Sequence, residues 1–154
     1  MQKISLEQWA KCLAILDLKE AKRYGKQLGI TEDTLSVYSQ LQFALVDWLS
    51  HLGIFTDAVI LEIIRTLCPC IEGLSVDLED NEEVSVFTVA ICDSRWVSCS
   101  RREKFFDAET FEDVEELPEY GVTHIMCDVI QLYSRMHYRL VKIESTPSTE
   151  AEHA

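Results

Sequence analysis

The chain has 154 residues, 47% of them apolar, and a formal net charge of −13 at neutral pH. That size suits one domain, or two small ones sharing a core. The acidity works against nucleic acid or an anionic membrane as a partner of the whole surface, and no apolar run approaches the roughly 18 residues needed to span a bilayer.

Charge is divided unevenly along the chain. Residues 1–70 carry 8 acidic and 7 basic side chains, whereas residues 71–154 carry 19 and 7. The second half should therefore repel nucleic acid and attract a basic partner. Lys3 and Lys11 interrupt an amphipathic start, so a signal peptide is not expected. Cys12, Cys68, Cys70, Cys92, Cys99 and Cys127 are accordingly expected as reduced thiols filling a core, in a cytoplasmic protein.

Ser5 and Gln8 form a capping box for a first helix, Leu6 to Leu16, with Leu6, Trp9, Ala10, Leu13 and Leu16 turned inward. Asp17 caps a second helix, with Glu20 in its first turn, and Gly29 supplies the left-handed residue that closes it. Ala21 and Gly25 are small enough for a neighbouring helix to approach. Thr31 is expected to cap a third helix from Glu32 to Leu52, carrying one long apolar stripe and ended by Gly53. Thr56 caps a fourth, which Pro69 should end. The broad apolar faces of helices three and four suggest a homodimer.

The acidic run 71–83 reads as a linker, with Ser75 to Leu78 as a short strand. Val84 to Cys92 is rich in β-branched residues and reads as a strand. A two-residue turn at Asp93-Ser94 would return Arg95 to Ser100 as its partner, with Trp96 opposite Ile91, and Phe105-Phe106 would continue the sheet. Asp107 is expected to cap an acidic helix, Ala108 to Leu117, stopped by Pro118. Thr123 would cap the last helix, to about Lys142, and 145–154 reads as a disordered tail. The fold class expected is α+β: a helical half at 1–70, then an acidic half at 71–144 with a small antiparallel sheet and two flanking helices.

The run LGITEDTLSVYSQL, followed by FALVDWLSHLGIFTDAVILEIIRTL, resembles the helix-turn-helix DNA-binding domain of MerR-type regulators. The resemblance covers about residues 18–67 and lacks the family's basic wing. It implies a transcriptional regulator with Lys19, Lys22, Arg23, Lys26, Thr34, Ser36 and Gln40 at the DNA. Against that, residues 31–52 contain no Lys or Arg, the residues that dominate phosphate contact and guanine reading.

No arrangement of nucleophile, base and oxyanion donors stands out, so no catalytic residue and no cofactor is assigned. His51 with Asp47, and His124 with Asp128, have the spacing of surface helix pairs. His137 has no such partner. Cys68-Pro-Cys70 with His124 and Cys127 lacks the spacing of a structural zinc site, and no metal is assigned. Glu109, Glu112, Asp113, Glu115 and Glu116 form an acidic face suited to a protein partner, or to mimicry of a phosphate row. The leading expectation is a non-enzymatic regulatory or adaptor protein; the MerR-like regulator is second, and an acidic nucleic-acid mimic third.

Overall fold

The computed structural model describes residues 3–80, 87–92, 96–101, 104–107, 109–110, 112–114 and 125–145. Among the described residues there are five helices, α1 (Leu6–Ala10), α2 (Leu18–Leu28), α3 (Val37–Leu52), α4 (Asp57–Glu79) and α5 (Val129–Ser145). The same residues hold five strands, β1 (Phe87–Cys92), β2 (Trp96–Arg101), β3 (Lys104–Asp107), β4 (Asp113–Val114) and β5 (Ile125–Asp128). The strands pair antiparallel in the order β4-β3-β2-β1-β5. α5 lies against β1, and α4 against β2.

Local signals set most of the helix ends. Ser5 and Gln8 make the reciprocal capping box, while Asp17 and Thr56 accept the N–H groups of Glu20 and Val59. Gly29 and Gly53 close α2 and α3 at φ +75° and +68°. Gly25 lies where α2 meets α3: a Cβ there would stand 3.1 Å from Cζ of Phe43.

Several expectations are corrected. α1 ends at Ala10, not Leu16, because the chain then turns along α3. The N–H groups of Ala14, Ile15 and Leu16 all donate to the buried Asp47 carboxylate at 2.9 Å. α3 starts at Val37 with Ser36 as its cap, not at Glu32 under Thr31. Residues 31–35 are not helical; Leu35 N–H donates to Ile4 carbonyl at 2.8 Å and Thr34 bridges Ser5. The tight helix-turn-helix expected at Gly29 is therefore opened out.

Pro69 does not end α4, and residues 71–79 are helix rather than linker or strand. Cys70, Ile71 and Leu74 carry the apolar stripe into the core beyond the proline. Burying side chains of this kind is worth about 1.5–3 kcal/mol each, against about 3 kcal/mol for one interior proline. α4 also crosses the boundary expected at residue 70.

The acidic helix at 108–117 is not formed in the described residues. Asp107 instead accepts the N–H groups of Glu109 and Thr110 at 2.8 and 2.9 Å, and its own N–H donates to Glu112 carbonyl. That side-chain turn closes a hairpin into β4. Ile125 to Asp128 pairs with β1, so the last helix begins at Val129 and runs to Ser145. In the β1–β2 register Trp96 faces Cys92, with Val97 opposite Ile91. The turn expected at Asp93-Ser94 lies outside the described residues.

The core joins both ends of the chain. Cys127 and Val129 pack with Leu41, Leu45, Ile64 and Leu67, while Met136 and Leu140 pack with Ile4, Trp9 and Phe43. Phe43, Ala44, Leu45 and Val46 of α3 are fully enclosed by this one chain. Among the described residues, no helix is long and apolar enough to cross a membrane.

Candidate functional site

A buried polar cluster among the described residues centres on Gln40 of α3. The residue is 3% exposed. The Nε2 group donates to Leu35 carbonyl at 3.1 Å, which fixes the amide orientation and turns Oε1 toward α5. That oxygen meets Tyr133 Oη at 3.0 Å and His137 Nε2 at 3.1 Å, two residues one helical turn apart. Trp9 of α1 donates from Nε1 to Gln40 carbonyl and places its ring 5.2 Å from His137. Tyr133 and His137 meet edge to face at 4.4 Å. Three helices thus converge on one residue, Trp9 at its backbone carbonyl and Tyr133 and His137 at its side-chain oxygen. Burial holds the His137 imidazole below its ordinary pKa and pushes the Tyr133 phenol up to about 12. Both groups stay neutral near pH 7, as hydrogen-bonding members of an internal clasp.

The residues expected at DNA are scattered. Gln40 is inside the clasp, Thr34 belongs to the bridge with Ser5, and Ser36 is the α3 cap, so the three do not share an outward face. Arg23 donates to Asp57 at 2.8 Å, and Tyr24 donates to the other oxygen of that carboxylate at 2.6 Å. The Tyr24 hydroxyl, then Arg23, hold the Asp57 carboxyl below its usual range. Lys19, Lys22 and Lys26 remain exposed on the outer face of α2, opposite the buried Ala21, Tyr24 and Gly25.

Of the acidic face, Glu109 and Glu112 are exposed at the β3–β4 turn and Asp113 lies on β4. Glu115 and Glu116 fall outside the described residues, as do His124 and the tail after 145. The pair expected between His51 and Asp47 is not made: Asp47 is buried against residues 14–16 while His51 faces outward. His137, which has no acidic partner one turn away, meets Gln40 of α3 instead.

Cys12 and Cys127 are buried, and burial raises both thiols, Cys127 to about 12, which disfavours the reactive thiolate. Cys68 sits beside Gln42 Nε2 at 3.4 Å and beside Tyr38. Among the described residues no group of three or more His, Cys, Asp or Glu side chains is placed to hold a metal ion. An open groove of about 280 Å³ is lined by Glu7, Ala10, Lys11 and Leu18. It is smaller than the clefts of roughly 300–1,000 Å³ that enclose small ligands.

Two residues of the clasp had a signal in the sequence. Tyr133 and His137 stand at i and i+4 on a helix whose other inward residues are apolar. Asp47 likewise interrupts the apolar run FALVDWL, where a charge must be buried and paired. Comparison with protein-family models, curated proteins and solved structures gives no match.

Proposed function

We propose that this chain is a cytoplasmic regulatory or adaptor protein that works by binding another protein and performs no chemistry of its own. One observation carries the reading. Glu109 and Glu112 project from a hairpin turn that Asp107 holds in shape, within a half of the chain carrying 19 acidic against 7 basic residues. A fixed, exposed acidic turn suits a basic partner, and charge complementarity supplies specificity and encounter rate more than affinity. The inward use of Gln40, Asp47, Tyr133 and His137 agrees, since it leaves them to hold the scaffold.

The test is affinity capture with the wild-type chain and with a Glu109→Lys/Glu112→Lys variant as bait. A protein retained by the wild type and lost by the variant supports the reading. Equal recovery on both baits removes the acidic turn from binding.

A second reading, a helix-turn-helix regulator of MerR-like type, draws support from the exposed Lys19, Lys22 and Lys26. It predicts a duplex shift that survives moderate salt on a subset of fragments. The burial of Gln40 and the capping role of Ser36 weigh against it.

A further inference from the structure

We infer that the outer face of α2, together with Arg65 of α4, is a docking surface for an acidic helical segment of a protein partner. This goes beyond the acidic turn: it is a second surface, of opposite sign, on the other half of the chain.

The face is built by packing. Ala21, Tyr24 and Gly25 are buried on the inner side of α2, which leaves Lys19, Lys22, Arg23 and Lys26 on the outer side. None of the three lysines forms an ion pair with a described residue. Arg23 is tied to Asp57 and also lies over the Tyr24 ring, 4.7 Å from its centre, so it stiffens the edge of the face. Arg65 donates from Nη2 to Gln27 carbonyl at 3.2 Å, which brings a fifth cation beside the last turn of α2. Five of the seven basic residues among positions 1–70 therefore share this surface, in a protein whose net charge is −13.

The spacing selects the occupant. Lys19, Lys22 and Lys26 are three and four residues apart and span about 10 Å along the helix axis. A partner helix repeating Glu at the same three-and-four interval would face each ammonium in turn. A duplex fits less well, because Thr34, Ser36 and Gln40 present no reading face beside the lysines; Glu20 and Asp57 are exposed and oppose any anionic partner, so the partner's carboxylates must fall on the lysines and clear of those two residues. The three lysines lack the planar fork that reads guanine or grips phosphate in two places, and the two arginines of the face are turned to Asp57 and to Gln27 carbonyl.

The test is fluorescence anisotropy with a labelled helical peptide carrying Glu at three-and-four spacing, and with its Gln counterpart, at low and moderate salt. A duplex DNA is the competitor. The variant is Lys19→Glu/Lys22→Glu/Lys26→Glu, whose fold is checked by circular dichroism since all three side chains are exposed. The expected result is binding of the Glu peptide alone, weakened about tenfold or more by the variant and by moderate salt. No anisotropy change, or equal binding by the variant, overturns the inference. Displacement by duplex at low concentration assigns the face to nucleic acid, and salt-sensitive self-association without peptide assigns it to a second copy; either outcome overturns the occupant inferred. The acidic turn is untouched by this variant, so its own test fails or succeeds separately.

Discussion

His137 and Gln40 meet across the α3–α5 contact at 3.1 Å, and the meeting fixes which imidazole nitrogen carries the proton. Gln40 Oε1 only accepts, because its Nε2 is committed to Leu35 carbonyl. Nε2 of His137 must therefore be the N–H. Acid would add the second proton at Nδ1 and place a cation in a half-buried site.

That arrangement sets a pH dependence. Burial lowers the folded-state pKa of His137 below 6.5, so the unfolded chain takes up the proton first as pH falls. The contribution of neutral His137 is complete above about pH 6.5 and is lost as pH drops toward the folded pKa. Urea midpoints measured between pH 7.5 and 5.5 should decline in the wild type and decline less in His137→Gln. Equal declines would show that His137 is not the titrating group. Asp57, whose carboxyl is lowered, contributes in a separate window, at and below the ordinary carboxylate range.

Asp47 should be the costliest polar substitution. It is 2% exposed, and its two oxygens accept three successive backbone N–H groups. Asp47→Ala strands those donors and should cost about 3 kcal/mol, with Asp47→Asn costing less because one acceptor oxygen remains. The readout is the denaturation midpoint at unchanged slope. A loss within 0.5 kcal/mol (the scale of about the usual surface change) would mean that water replaces the carboxylate.

What the sequence disclosed was the local part of this fold. The caps at Ser5, Asp17 and Thr56 and the closing residues Gly29 and Gly53 each act within a few positions of their own helix. The misplaced elements depend on distant partners. α3 starts late because Leu35 pairs with Ile4, and α1 stops early because residues 14–16 find Asp47. The Gln40 clasp draws Trp9, Tyr133 and His137 from 31, 93 and 97 positions away, so an exposed reading of Gln40 followed naturally from its own helix alone. The basic face of α2 was legible because it needs only helical periodicity.

Two glycines should respond oppositely to the same change. Alanine gains about 1 kcal/mol over glycine in a helix interior when space allows. Gly73 of α4 has nothing within 4 Å of a new Cβ, so Gly73→Ala should stabilise by about 0.5–1 kcal/mol. At Gly25 the new Cβ would meet the fully buried Phe43 at 3.1 Å, where the ring is enclosed with Trp9, Ala21 and Ala44. Gly25→Ala should destabilise by about 1 kcal/mol or more. Thermal midpoints moving in the same direction would contradict the packing described between α2 and α3.

Pro69 offers a direct measure of what holds α4 together. The residue is exposed, lies inside the helix, and has no N–H to give the carbonyl one turn earlier. The helix continues because Cys70, Ile71 and Leu74 are buried beyond it. If that burial alone carries the helix past the proline, Pro69→Ala should restore a hydrogen bond and raise stability by about 1–3 kcal/mol. The partner change, Leu74→Ala, should cost about 2–5 kcal/mol and fray α4 beyond residue 69, seen as faster amide exchange there. A Pro69→Ala protein less stable than wild type would instead mean that the ring sets a bend the core requires, and the two substitutions together would then cost less than the sum of their separate effects, because both disturb the same packing.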